Sequence, residues 1–211
     1  MTNGRSPRRE WLGRQALFLG RSTEEQVTEE ALVALIRARV DGPKVGDEDE
    51  ATHVCAPATE EALQAAEKRL GAPLPPTLRH LYTKIGNGGF GPGAGLLGVE
   101  GGHLNDDGES LVTNYVRFRN GGWPDGLLPL FDLGGGAWAG ILLGAKEARV
   151  TLAVESGPIS TAYLLGDWLA VWARGDDAVA ELFEVESAVL RSPFSGEEVT
   201  YRRRGKPKRG L

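Results

Sequence analysis

Residues 59–91 read TEEALQAAEKRLGAPLPPTLRHLYTKIGNGGFG, and this stretch decides the fold of the chain. Thr59 is a favourable N-cap for a first helix, whose apolar residues recur at helical spacing until Gly71 can end it. The prolines of the APLPP segment then force an extended elbow, whereas Pro76 suits the first turn of a second helix. The stretch therefore predicts two helices, a proline-rich elbow between them and a glycine turn at residues 86–89.

The glycine turn is predicted to be structural rather than catalytic. Asn87, Gly88 and Gly89 tolerate positive φ, and they lie between the end of a helix and a segment of strand type. A bulky residue at Gly88 is therefore expected to destabilise the fold.

The hydrophobic pattern changes after this turn. Short apolar segments alternate with turns that contain glycine, and short connections favour antiparallel neighbours because parallel strands need long crossovers. The sequence predicts an α+β fold in which helices pack against a mostly antiparallel or mixed sheet. The predicted strands are residues 95–101, 127–133, 138–143 and 149–155, and the predicted helices are residues 110–119, 164–173 and 176–186.

Residues 1–56 are predicted to form an N-terminal extension with one helix. A capping-box pattern at residues 23–26 predicts its start, and Gly42 followed by Pro43 predicts its end. An acidic, irregular linker at residues 45–58 leads into the main domain.

The net charge of −5 is unevenly distributed. Residues 1–55 carry −2, residues 56–190 carry −8 and residues 191–211 carry +5. The main domain, residues 57–190, is therefore acidic, which favours a basic protein partner and disfavours direct nucleic-acid binding. The basic C-terminal tail, residues 191–211, is expected to be a solvated, disordered end that the fold does not need.

The chain has a single cysteine, Cys55, so an intramolecular disulfide framework is excluded. The early apolar run at residues 16–20 is too short for a signal sequence or a membrane span. A cytoplasmic protein with no membrane partner is therefore expected.

Residue patterns typical of catalysis, cofactor binding or metal binding are weak. Two G-x-G-x-x-G matches in residues 86–98 lack the strand-to-helix context of a dinucleotide site. His53, His80 and His103 lie far apart in sequence, and residues 105–109 lack the ligand register of a calcium loop. The sequence predicts a protein that is not an enzyme and that has no catalytic residues, no cofactor and no metal.

The order of these features resembles the SUKH superfamily (the SMI/KNR-type domain) over roughly residues 57–186. One departure is the turn at residues 134–138, Gly-Gly-Gly-Ala-Trp, where family members often have Gly followed by Asp or Asn and an aromatic residue. The residues that carry the resemblance are Glu67, Leu70, Gly71, Leu74, Pro75, Leu78, Tyr82, Asn87, Gly88, Gly89, Trp123, Pro124, residues 127–130 and residues 132–136.

In bacteria such domains look like immunity proteins that bind a cognate polymorphic toxin, often a nuclease, and block it. The resemblance therefore implies a non-catalytic protein-binding domain whose partner is a basic protein, namely such a toxin. A regulatory or scaffolding protein of the same fold without a toxin partner is the alternative, and an unrecognised enzyme is a third hypothesis. The oligomeric state stays open.

A partner-binding surface is predicted around the sheet and its turns. Acidic residues concentrate in this central region, and two tryptophans beside turns could supply apolar anchors there. The candidate partner-binding residues are Glu100, Asp106, Asp107, Glu109, Trp123, Asp125, Asp132 and Trp138.

Overall fold

The computed structural model describes residues 27–42, 53–191 and 198–208, and it has an α+β fold. The helices within these residues are α1 (Glu29–Asp41), α2 (Glu60–Leu70), α3 (Pro76–Lys84), α4 (Leu111–Asn120) and α5 (Leu165–Ala173), with a 3-10 turn at Ala180–Leu182. The strands are β1 (Leu127–Asp132), β2 (Trp138–Leu142), β3 (Arg149–Val154), β4 (Gly157–Leu164), β5 (Phe183–Arg191) and β6 (Glu198–Pro207).

The main sheet is antiparallel throughout, with the strand order β1-β2-β3-β4. Short turns connect its strands, which is the arrangement that the spacing of the apolar segments predicts. The three strands predicted at residues 127–133, 138–143 and 149–155 are confirmed to within one residue at each end. The helix predicted at residues 110–119 is confirmed too, and Ser110 caps it.

The predicted helices on either side of the proline elbow are confirmed. The Thr59 side chain accepts a hydrogen bond from the Ala62 amide (3.2 Å), and Gly71 ends α2 in the left-handed conformation (φ +75°). Pro76 then opens α3, where its missing amide costs nothing because the first helical amides have no intrahelical partner.

The hydrogen bonds of Glu67 explain why a glutamate precedes this elbow. Its Oε1 accepts from the Leu74 amide (2.9 Å) and from the Arg79 guanidinium (2.7 Å), so one carboxylate joins α2, the elbow and α3. Arg79 also pairs with Glu60, and the pKa of Glu60 is lowered by the hydrogen bond from Gln64 and then by Arg79. This network fixes the angle at which α3 leaves the elbow.

The core lies between the sheet and the helices. Trp168 of α5 is completely buried, and its ring meets the ring of Phe131 on β1 edge-on at 5.2 Å. The Trp168 indole N–H donates to the Ala178 carbonyl (2.7 Å), which satisfies the one polar group of that side chain. Packing therefore holds α5 against the sheet, and the hydrogen bond ties α5 to the turn that follows it.

The described part of the N-terminal extension packs on the main domain, because α1 contacts α3 and α5. Thr28 caps α1 through the Ala31 amide, and the predicted stop at Gly42 is confirmed. The capping box predicted at residues 23–26 lies outside the described residues. The proposed division into extension, main domain and tail stays a proposal.

The helix predicted at residues 176–186 is wrong. A turn and the 3-10 segment occupy its first half, and β5 begins at Phe183. Residues 183–186 alternate apolar and charged side chains, which is the period of a strand, and β6 supplies a strand partner. The long-range pairing therefore overrides the local helix signal.

The expectation of a disordered C-terminal end is wrong for residues 198–207, which form β6 and pair antiparallel with β5.

Two other segments differ from the prediction. Residues 95–101 contain an isolated bridge between Leu96 and Phe131 rather than a strand, and β4 was not predicted. The sequence of β4 gives a weak strand signal, because it begins with Gly-Pro and its exposed positions alternate with partly buried ones.

Candidate functional site

The predicted acidic surface centres on the loop of residues 100–109, here called the acidic loop. Glu100, Asp106 and Asp107 are exposed there, whereas Glu109 is half-buried. Leu104 lies between these acids with 46% of its surface exposed, although it is a large apolar residue. The loop therefore combines negative charge with an apolar side chain that solvent reaches.

Polar side chains hold the start of the acidic loop and close its second half. At its start, the Asn87 side chain accepts from the Val99 amide (2.8 Å) and donates to the Glu100 carbonyl (3.1 Å). Near its end, Asn105 accepts from the Glu109 amide (2.8 Å). The backbone of the loop is thus held in place while its acidic side chains face solvent.

Arg117 on α4 connects the acidic loop to an aromatic cluster. Its guanidinium pairs with Glu109 (2.7 Å) and, more distantly, with Asp107 (3.5 Å). The same guanidinium lies 4.7 Å from the centre of the Phe118 ring. Sequence reasoning missed this arginine, because its partners lie eight and ten positions earlier in another element.

The aromatic cluster consists of Phe118, Trp123 and Trp138. Trp123 stacks on Phe118 at 4.1 Å, and Trp138 meets Phe118 edge-on at 5.1 Å. Trp123 is half-buried, so one part of its ring is open to a partner. Asp125, two residues further on, is exposed.

The expectation that Trp138 is exposed is wrong, because only 7% of its surface is accessible. It opens β2 and pairs across the sheet with Asp132 and Ala153, and its ring lies against the Phe118 ring. A position beside a turn in the sequence does not show whether a strand residue faces the core or solvent.

Asp132 has a structural contact at the glycine turn between β1 and β2. Its Oδ1 accepts from the Gly134 amide (2.8 Å), which closes an Asx-type turn. The carbonyls of Leu133 and Gly134 accept from the Arg204 guanidinium on β6 (2.6 and 3.0 Å). The structure therefore places Asp132 where the β5–β6 ribbon meets the sheet.

Tyr82, like Asn87, is a buried residue with a polar side-chain group near the acidic loop. Its hydroxyl donates to the Leu97 carbonyl (2.5 Å). Burial raises the pKa of Tyr82 far above its ordinary value. A fully buried, neutral phenol that is already hydrogen-bonded is suited to holding residue 97 in place rather than to acid–base chemistry.

Within residues 27–42, 53–191 and 198–208, no three His, Cys, Asp or Glu side chains are grouped so that they could hold a metal ion. The G-x-G-x-x-G matches follow the end of α3 and lead into a loop, so they lack the helix N-terminus that a pyrophosphate needs. In the same described ranges, none of the helices combines the length and the apolar character of a membrane span.

The comparison with curated proteins finds no similar sequence. The family comparison does find a match. Residues 57–169 match the SMI1 / KNR4 family (SUKH-1), and this match covers more than half of the chain. It begins just before α2 and includes the elbow, the Asn87 turn, the acidic loop and the antiparallel sheet. The chain belongs to the SMI1 / KNR4 family (SUKH-1).

Proposed function

We propose that this protein is an immunity protein that binds a basic cognate toxin through the acidic loop and thereby neutralises it. The observation that carries the proposal is the exposure of Leu104 among Glu100, Asp106 and Asp107, on a loop whose start is bonded to Asn87 and whose second half is closed by the bond between Asn105 and Glu109. A rigid loop loses little conformational entropy when a partner binds it.

The charge of the domain supports a basic partner. Residues 53–182 contain fifteen acidic and nine basic side chains, a net charge of −6. A nuclease toxin needs a basic surface to bind its substrate, so an acidic protein is suited to cover that surface. Family membership agrees with this role and does not require catalysis by this chain.

Charge and apolar contact have separate tasks in this proposal. The exposed carboxylates accelerate encounter, because opposite charges steer diffusion and salt screens them. Leu104 and the open part of Trp123 contribute contact area, which mainly governs dissociation. The two contributions can therefore be measured separately as rates.

The first experiment measures binding to the toxin encoded beside the gene of this protein. The association rate constant is expected to fall as salt is raised, and Asp106→Lys with Asp107→Lys is expected to slow association further, by about tenfold at low salt. The toxin activity should be suppressed by the unmodified protein in the same buffer.

The matched control is Glu61→Lys with Glu155→Lys, which makes the same change in net charge at two exposed acids on α2 and on the β3–β4 turn. An equal loss of association rate in both double variants would show that only net charge matters and would remove the acidic loop as the site. Binding without suppression of toxin activity would favour the regulatory or scaffolding alternative.

The second experiment tests the apolar contact with Leu104→Ala. We expect dissociation to accelerate by about tenfold, equivalent to roughly 1.4 kcal/mol, while association stays nearly unchanged. Val189→Ala on β5, where 59% of the side chain is exposed, is the control for a general loss of apolar surface. Unchanged dissociation of the Leu104→Ala variant would exclude Leu104 from the interface.

A further inference from the structure

Asn114 on α4 is a buried polar residue whose amide is only half satisfied. It is 0% exposed, and Leu111 and Tyr115 are buried beside it on the same helix. Its Oδ1 accepts a hydrogen bond from Arg117 (2.9 Å), whereas its Nδ2 has no hydrogen-bond partner among the described residues. A buried donor without a partner costs stability, and an apolar side chain has no such cost. The stability of the fold therefore favours an apolar residue at position 114.

The hydrogen bond to Asn114 fixes the direction of an exposed guanidinium. Arg117 donates through Nη2 to Asn114 and through Nε to Glu109 (2.7 Å), so two bonds hold its planar group. The Phe118 ring lies 4.7 Å from the same group. An exposed arginine loses side-chain entropy when it is held in one conformation, so a buried acceptor is needed to keep it there. Asn114 therefore acts on the acidic loop through Arg117.

Arg117 in turn holds the residue that closes the second half of the acidic loop. The Glu109 carboxylate accepts from Arg117 and also from Asn105 Nδ2 (3.3 Å), while the Glu109 amide donates to Asn105 Oδ1 (2.8 Å). The Gly108 amide donates to the Asn105 carbonyl (2.9 Å). The backbone of residues 105–109 is thus closed around a carboxylate that Arg117 holds.

The same guanidinium divides the acids of the loop into two groups. The Glu109 side chain is 21% exposed and pairs with Arg117 at 2.7 Å, whereas the Asp107 side chain is 72% exposed and lies 3.5 Å from Arg117. Asp106, next to Asp107, is exposed as well. A positive charge at short range offsets the charge of Glu109, so Asp106 and Asp107 are the carboxylates of this segment that a partner meets.

We propose that Asn114 is a positioning residue for partner binding. It aims Arg117 at Glu109 and thereby fixes the arrangement in which Asp106 and Asp107 meet a basic partner. This inference rests on the proposed function, because it gives the order of the acidic loop a purpose. It accounts for a buried amide that costs stability, since functional sites keep residues that the fold alone does not favour. Stability and binding should therefore respond differently to one substitution.

The first test needs no partner and uses the full chain. Asn114→Leu keeps the branched shape of the side chain and the net charge, and Asn114→Val, which is smaller, guards against overpacking. At least one variant should have a thermal midpoint equal to or above that of the unmodified protein. In both variants, hydrogen exchange of the Gly108 and Glu109 amides should accelerate at least tenfold, while exchange of the β1 amides stays the same.

The matched control is Thr151→Val, which makes a buried polar residue of β3 apolar. Exchange of the Gly108 and Glu109 amides should be unchanged in this variant. A lower midpoint in both Asn114 variants would overturn the proposal, because the amide would then serve the fold. Unchanged exchange of the two loop amides would overturn it too, because Arg117 would then stay in place without Asn114.

Arg117→Lys separates the direction of the guanidinium from its charge. A lysine keeps the positive charge beside Glu109, but it lacks the planar fork that holds Glu109 and Asn114 at once. Exchange of the Gly108 and Glu109 amides should accelerate at least fivefold in this variant. Unchanged exchange would show that charge alone orders the loop and would contradict the positioning role.

The last test measures binding to the toxin encoded beside the gene of this protein. Asn114→Leu should dissociate about fivefold faster while association stays nearly unchanged, because its net charge is that of the unmodified protein. Thr151→Val should bind like the unmodified protein. Equal dissociation of all three proteins would overturn the proposal. If the unmodified protein does not bind the toxin, the proposed function fails, and the midpoints and loop exchange still decide whether Asn114 positions Arg117.

Discussion

Two glycine turns in this molecule share a backbone conformation but have opposite surroundings. The turn at Gly88 and Gly89 has φ values of +85° and +83° and is buried, and the turn at residues 134–136 has φ values of +75°, +62° and +75° and is exposed. A Cβ at Gly88 would lie 2.8 Å from the Gly98 amide nitrogen and would also press on the Leu96 carbonyl. A Cβ at Gly135 would meet nothing within 4 Å.

This difference in surroundings shows that a turn can require glycine for two separate reasons. The exposed turn needs glycine only for its positive φ, whereas the buried turn needs it for positive φ and also for space. Asn87 adds a third constraint at the buried turn, because its side chain satisfies two backbone groups of another segment. The buried turn therefore joins distant parts of the chain by close packing and by the Asn87 side chain, whereas the exposed turn reverses the chain and bonds to β6 through its carbonyls.

Gly88→Val should produce the largest effect. Strain from positive φ and the clash with backbone atoms that cannot move independently should together cost about 4 kcal/mol of unfolding free energy. Urea unfolding followed by tryptophan fluorescence measures this loss. A Gly88→Val protein of normal stability that had lost only its partner binding would contradict the structural role of the turn.

Asn87→Ala should cause the second-largest loss of stability. It leaves the Val99 amide and the Glu100 carbonyl without the hydrogen bonds that Asn87 supplies, at a cost of about 3 kcal/mol. Asp132→Ala is the matched change at the exposed turn, where water can replace the single lost bond to Gly134, and about 0.5 kcal/mol is expected. Similar losses in both variants, measured by thermal unfolding, would erase the distinction between the turns.

Gly135→Val isolates the contribution of positive φ to the loss of unfolding free energy. With open space around the Cβ, only the positive φ is unfavourable, so about 1.5 kcal/mol is expected. The comparison with Gly88→Val in the same urea titration gives the cost of crowding by difference. A loss as large as that of Gly88→Val would show that the exposed turn is packed after all.

Arg204→Ala tests the contact between the exposed turn and the ribbon. Arg204 donates to the Leu133 and Gly134 carbonyls, but its own exposure lets water substitute, so about 1 kcal/mol is expected. Hydrogen exchange of the β5 amides should accelerate in parallel, because the ribbon loses its bond to the sheet. Unchanged exchange would mean that other contacts hold the ribbon.

The sequence predicted those features whose signals lie close together along the chain. The bounds of α2 and α3 depend on contacts within a few residues, so local chemistry is sufficient to predict them. These contacts involve Thr59 with the Ala62 amide, Gly71 at the end of α2 and Pro76 at the start of α3. The antiparallel order of β1, β2 and β3 was predictable because short turns leave few alternatives.

Features that depend on distant partners could not be predicted in this way. β5 is a strand because β6 pairs with it, from Arg191 opposite Glu198 back to Phe183 opposite Pro207. Trp138 is buried because the pairing of β2 with β1 and β3 turns it under Phe118. The acids of the candidate site were visible in the sequence, but Leu104 and Arg117 became recognisable only through exposure and contact.

The backbone bonds of the acidic loop make its exposed side chains replaceable. Asn87 holds the backbone at Val99 and Glu100, Asn105 holds it at Glu109, and Cβ atoms at Gly101 and Gly108 would meet nothing within 4 Å. The exposed side chains of Leu104, Asp106 and Asp107 can therefore be exchanged with little effect on the domain below them. A library that varies Leu104, Asp106 and Asp107 should keep the parental melting temperature while changing which toxin is recognised, so partner choice and folding can be engineered independently.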